Sequence, residues 1–267
     1  MLWYNSLMTW ALKRQLVFIF LFLVAVSAFL FWITYPIFNK PPSCVDNRQN
    51  GDETGVDCGG SCTTACKDQV DPISILWSRA FQVVPGRFNA VAYIENHNPN
   101  LAIKKIRYQF RFADKDNLYI GKRDGVTYIP PAGKYAIFEP AIAVGNSIPV
   151  YTTFEFKEEQ VWSQIPPDRV NQLNVFATDI RLEGEDSSPK LFAKVTNNSL
   201  FIIPEVTLVA ILYDEEGNAV STSRTYLDVL KKEESADISF TWPELFSKKI
   251  IVKEIIPMYD ISLAKLK

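Results

Sequence analysis

The sequence predicts an all-β protein, two tandem β-sandwiches behind a single N-terminal transmembrane helix. Three observations predict it. A charge-free apolar span runs from Gln15 to Asn39. Beyond Asp71, short β-branched and aromatic runs alternate with turn residues. The order of those runs then returns about a hundred residues later, which marks a domain duplication. The expected organisation is a cytoplasmic N-terminus over 1–14, a signal-anchor helix over 15–36, a disulfide-rich acidic linker over 37–71, a first sandwich over 72–161 and a second over 168–267.

The helix follows from length and charge. Leu16 to Tyr35 supplies the ~20 apolar residues that cross a hydrocarbon core. Trp32 and Tyr35 suit one aromatic belt, and Trp3, Tyr4 and Trp10 the other. Pro36 is expected to end the helix. Lys13 and Arg14 precede the span and only Lys40 follows closely, so the positive-inside rule places the N-terminus in the cytoplasm and everything beyond residue 40 outside. Val26-Ser27-Ala28 offers a signal-peptidase site, but Phe29 to Ile33 stays strongly apolar after it, which favours a retained anchor. With a net charge of −2 the chain shows no basic face for nucleic acid, and its Lys-Lys pairs at 104–105, 231–232 and 248–249 read as solvated charges.

All four cysteines lie in "CVDNRQNGDETGVDCGGSCTTAC", spaced C-x13-C-x3-C-x3-C at Cys44, Cys58, Cys62 and Cys66. That spacing lacks the paired knuckles of zinc sites and the C-x-x-C of thioredoxin-type centres. In an oxidising compartment an even count predicts two disulfides, in any of three pairings. Between them stand Asp46, Asn50, Glu53 and Asp57, interleaved with glycines. Two readings stand side by side: converging hard oxygens that bind calcium, or ordinary Asx turns in a solvated acidic loop. The stretch resembles a short C-x-D-x-x-x-N-G-x-E-x-x-x-D-C-G-G-x-C module of secreted bacterial proteins, filled here by Cys44, Asp46, Asn50, Gly51, Glu53, Asp57, Cys58, Gly59, Gly60 and Cys62.

The first repeat reads "ISILWSRAFQVV", "RFNAVAYIEN", "IKKIRYQFRF", "VTYIP", "YAIFEP" and "PVYTTFEF" as strands. In the third, Ile106, Tyr108, Phe110 and Phe112 share one face and are expected inside. The second repeat answers with "LNVFATDIRLEG", "KLFAKVTNN", "EVTLVAILYD", "TYLDVL", "ADISFTWP" and "IIVKEIIP". Asp114 and Asp214 end equivalent strands before "DKDN" and "EEGN" turns, and Asn96 and Asn197 end the strands before those. Pro166-Pro167 makes a short, stiff joint.

At "FRFAD" (Phe110–Asp114) and "AILYD" (Ala210–Asp214) the chain resembles the bacterial FxLYD family. The first copy keeps Phe110 and Asp114; the second keeps Leu212, Tyr213 and Asp214. "ENHNPN" followed by "IKKIRYQFRF" is similar to the late-embryogenesis-abundant type 2 sandwiches. The resemblance implies an immunoglobulin-like sandwich and brings no catalytic residues with it.

His97 is the only histidine, and no G-x-S-x-G, H-E-x-x-H or P-loop is present, so no enzyme is expected. Trp242 in "FTWPELF" could offer a carbohydrate platform, with packing under a loop as the plainer reading; Asn197-Asn198-Ser199 matches a glycosylation acceptor. The expected function is a membrane-anchored, extracytoplasmic interaction or scaffold protein whose partner is an envelope protein or polymer. The alternatives are a surface enzyme acting on envelope polymers through carboxylates and, by family analogy, a stress-protective surface protein.

Overall fold

A computed structural model describes residues 10–38 and 41–266. Trp3, Tyr4 and Lys40 lie outside the described residues. Helix α1 (Trp10–Phe38) is followed by the cysteine stretch and then almost entirely by strand. The described side chains of α1 are exposed except Thr34, as suits a helix whose surroundings are lipid. Its serine and threonine donate back to the helix itself: Ser27 Oγ donates to Val24 O and Thr34 Oγ1 to Leu30 O, so neither faces hydrocarbon unsatisfied. The expected stop at Pro36 is corrected, because α1 continues through it to Phe38. A proline this close to the end forfeits one backbone bond where the ladder is about to stop.

The first sandwich contains β1 (Ser74–Val84), β2 (Arg87–Asn96), β3 (Leu101–Ala113), β4 (Tyr119–Ile129), β5 (Gly133–Ala143), β6 (Tyr151–Phe156) and β7 (Ser163–Gln164). The second contains β8 (Val175–Glu183), β9 (Lys190–Asn197), β10 (Phe201–Tyr213), β11 (Ala219–Leu230), β12 (Ser235–Thr241), β13 (Val252–Met258) and β14 (Lys265–Leu266). The sheets of the first are β1-β2-β5 and β4-β3-β6, with β7 on the start of β3; those of the second are β8-β9-β12 and β11-β10-β13, with β14 on the start of β10. Adding seven to each strand number of the first gives the second. The duplication read from the sequence is therefore present in every pairing, including two-residue strands too short to show a period.

Each sandwich has its own core. Ile106, Tyr108, Phe110 and Phe112 are all at most 5% exposed and meet Phe154 from β6 and Ala90, Ala92 and Ile94 from β2. Leu208, Ala210 and Leu212 do the same in the second core against Leu191, Ala193 and Val195. Equivalent polar corners close both copies. Asn96 Nδ2 donates to Leu101 O and Pro130 O while its Oδ1 accepts from Asn98 N. Asn197 Nδ2 donates to Phe201 O and Lys231 O while its Oδ1 accepts from Ser199 N and Ser199 Oγ. Asn197 is completely buried, so this amide ties strands together and is closed to glycosylation. Asp114 and Asp214 cap their turns identically, each Oδ1 accepting the amides two and four residues on.

The two sandwiches also share a third apolar cluster. Phe81, Val91, Tyr93 and Phe138, on the outer face of β1-β2-β5, pack against Val209, Ile211 and Ile256, on the outer face of β11-β10-β13. β2 and β10 are thus buried on both faces, and the four sheets stack. Polar bonds cross the seam. Tyr93 Oη donates to Glu254 Oε1 at 2.8 Å while Tyr213 Oη donates to Glu254 Oε2 at 2.7 Å, so one carboxylate takes a phenol from each domain. Burial first, and this bond second, raise both phenols well above their ordinary range, which keeps them donors. Arg224 lies over the Phe138 ring at 5.2 Å, again across the seam.

Candidate functional site

The cysteine stretch has almost no regular structure and is held by cross-links. Cys44 bonds Cys62 and Cys58 bonds Cys66. This selects one of the three pairings that the sequence left open. Glycines allow the close wrapping: a Cβ on Gly55 would lie 2.8–2.9 Å from the sulfurs of Cys58 and Cys66, and one on Gly60, at φ +56°, would strike the Asp52 carbonyl.

Asp46, Asn50, Glu53 and Asp57 are brought together in a closed hydrogen-bonded ring. Asp57 accepts the amides of Asp46 and Asn47. Asp46 Oδ2 accepts from Asn50 Nδ2 at 2.8 Å, and Asp46 Oδ1 from Arg48 N. Glu53 Oε2 accepts from Asn50 N and Asp57 N. The carboxylates thus take up backbone amide protons, which is the turn-forming job of Asx residues. The oxygens outside those bonds are few: Asn50 Oδ1 is buried without a protein partner, and Glu53 Oε1 lies 3.4 Å from Cys62 Sγ. Cys44, Glu53 and Cys62 form a close trio, but both sulfurs belong to one disulfide, so only the carboxylate of that trio has ligand character. Asp57→Asn should lower stability by about 2 kcal/mol, because charge-assisted bonds to two amides weaken. Thermal melting with and without millimolar calcium checks this. The ring as built predicts the same loss in both conditions. A calcium-dependent rise in the wild type that vanishes in Asp57→Asn would assign the ring to the ion.

The disulfide-rich stretch is also fastened to the first sandwich. Thr64 forms a bridge with Ser163, flanked by bonds from Ala65 N to Trp162 O and from Gln164 N to Thr63 O. Residues 63–65 therefore extend the sheet through β7 to β3. Trp162, Ala65 and Val70 pack against the first core, and Lys67 pairs with Glu159. A second clasp holds Asp71, whose N–H donates to Asn98 Oδ1 and whose carbonyl accepts from Asn98 Nδ2. The signal for this docking was Trp162, an aromatic just before the Pro166-Pro167 joint.

The remaining candidates are structural. His97 Nε2 lies 3.2 Å from Ser74 Oγ on an exposed strand edge, and no carboxylate bonds the histidine among the described residues. Trp242 is 7% exposed and meets Phe246 edge-on at 5.4 Å, so it packs under its loop and presents no platform. The buried carboxylates each hold their own donors: Glu139 those of Tyr108 and Arg123, Asp214 that of Lys248 at 2.6 Å. The Lys248 ammonium holds Asp214 below the ordinary carboxylate range, and Asp214 holds Lys248 above its own. The depressed Asp214 contributes stability above its unfolded value near pH 4 that disappears as pH falls through its folded value; the raised Lys248 contributes below about pH 10 and loses this as pH rises through its folded value. Lys248→Met should therefore lower the melting temperature between about pH 5 and 9 and converge with the wild type in stronger acid. A constant difference down to pH 2 would contradict the assignment.

No family model matches the chain and no curated protein matches it. Among solved structures it is similar to red sea bream transglutaminase (10% identity, TM-score 0.25), over 72% of this chain and 29% of that one. It is also similar to a β-glucuronidase of glycoside hydrolase family 2 (10% identity, TM-score 0.22), over 83% and 29%. Vicilin from Capsicum annuum aligns at 8% identity and TM-score 0.14, over 68% of this chain and 78% of that one. The chain spans less than a third of the first two proteins.

Proposed function

We propose that this chain is a non-catalytic interaction or scaffold protein of the cell envelope, with its N-terminus in the cytoplasm and its disulfide stretch and both sandwiches outside. The observation that carries this reading is the continuity of the extramembrane part. Two disulfides staple the stretch that follows α1, a strand bridge fastens it to the first sandwich, and an apolar cluster fastens that sandwich to the second. Such a body holds its surfaces at fixed places relative to one another, which is what a scaffold requires. The disulfides support an oxidising side of the membrane, and Lys13 and Arg14 support the orientation. The resemblance to FxLYD and late-embryogenesis-abundant type 2 sandwiches belongs to the same proposal.

Crosslinking in intact cells, followed by purification of the full chain from native membranes, tests it. The expected result is a discrete crosslinked envelope component, together with digestion of both sandwiches by protease added to spheroplasts. Protection from protease, or recovery of the chain uncrosslinked at every reagent length, would sink the proposal.

A further inference from the structure

The duplication itself points to a further surface. In the second sandwich, the outer face of β11-β10-β13 is covered, because the first sandwich docks on it. The equivalent face in the first sandwich is β4-β3-β6, and it is open. The same cross-strand row has been built in opposite ways in the two copies. In the second copy, Tyr213 stands in the centre between Ala219 and Val252. In the first, Ala113 stands in the centre between Tyr119 and Tyr151. Both tyrosines are about half exposed, as is Val150, and Leu118 and Ile148 are more exposed still. The row edges a shallow cavity of about 220 Å³.

We propose that this row is a binding slot for an acidic saccharide unit, with the sugar ring between Tyr119 and Tyr151 over Ala113 and its carboxylate on Arg111. Tyr119 and Tyr151 stand on the strands either side of β3, so their Cβ atoms are separated by about 10 Å. A saturated ring in contact with two aromatic faces needs roughly 8 Å. The floor is the smallest side chain available short of glycine. Arg111, one step along the same face, lies 5.9 Å from the Tyr119 ring centre and forms no ion pair among the described residues, so its guanidinium is open to a planar carboxylate. The flanking row is polar, Lys122 and Thr153 being the cross-strand partners of Arg111. An apolar protein sheet like the one that covers the second copy would bury the Arg111 guanidinium without an anion and take the Lys122–Asp124 ion pair out of water; an acidic sugar pairs the first and leaves the second wet. The slot is also far from the anchor. The cysteine stretch joins the sheet at the Leu101 end of β3, and Ala113 is about 40 Å further along the strand. An envelope polymer above the membrane can reach it.

This inference rests on the envelope reading and names the chemistry of one partner. Calorimetric titration of the full chain in detergent, with trigalacturonate as acidic probe and cellotriose as neutral probe, tests it. The expected result is saturable trigalacturonate binding with Kd near about 1 mM and cellotriose about tenfold weaker. Tyr151→Ala should weaken trigalacturonate binding by about tenfold, and Arg111→Gln should erase the preference between probes. Ala113→Leu keeps both tyrosines and fills the slot, so it should abolish binding while the melting curve stays unchanged. No saturable heat with either probe up to about 10 mM, equal binding of the two, or wild-type binding by Ala113→Leu would each overturn the slot. A crosslinked envelope partner recovered alongside such a failure would leave the scaffold reading standing and remove only this site.

Discussion

Val91→Asp is expected to destabilise the chain by about 4 kcal/mol, through a residue that touches neither cysteine, turn nor candidate site. Val91 is completely buried, on the face of β2 that meets the second sandwich among Phe81, Phe138, Val209 and Ile211. An aspartate there would place an unpaired carboxylate between two apolar sheets, where desolvation dominates. Wild-type melting should be one cooperative transition, because neither sandwich can lose the seam alone. In Val91→Asp the transition should fall and divide in two as the domains uncouple. Val91→Ala removes two methyl groups without adding charge and should cost only ~1–2 kcal/mol with one transition retained. Two separate transitions in the wild type, or a silent Val91→Asp, would show that the domains merely touch.

The second large effect is expected at the membrane-proximal staple. Replacing Cys58 and Cys66 together by serine opens a loop of sequence separation 8 and leaves Cys66, 4% exposed beside the docked segment, with a buried hydroxyl. Loss of a small-loop disulfide costs about 2–3 kcal/mol in the chain-entropy model, and the polar replacement adds to it. Because residues 63–65 are bonded to residues 162–164, the damage should travel. Amide exchange should accelerate at Gln164, outside the loop, as well as at residues 58–66, while the second sandwich stays protected. Faster exchange restricted to residues 44–66 would mean that the stretch is a tethered knot and not part of the first domain.

Much of the fold was legible because it rests on local rules. Alternation in "IKKIRYQFRF" placed Ile106, Tyr108, Phe110 and Phe112 inside, where they are. The returning Asn and Asp positions revealed the duplication, since the corners they form are the same bonds made twice. The docking of one sandwich on the other was not read, although its signal was present. Ala90 to Ile94 in β2 and Leu208 to Leu212 in β10 are unbroken apolar runs, and a strand without alternation is buried on both faces. Each run looked like an ordinary core strand because the partner sheet lies more than a hundred residues away. At the cysteine stretch, residue types announced disulfides and a cluster of oxygens, but not the pairing and not the direction of the oxygens. Those depend on where the backbone amides of Asp46, Asn47 and Asn50 point, which spacing does not encode.

The proposed function requires an anchored body outside the membrane whose first element is stapled in one pattern. Non-reducing peptide mapping of the full chain, alkylated as it leaves native membranes, reads both the pairing and the compartment. Two linked peptide pairs are expected, Cys44 with Cys62 and Cys58 with Cys66, and no alkylated cysteine. Four alkylated thiols would contradict both the staple and the compartment that the whole reading requires.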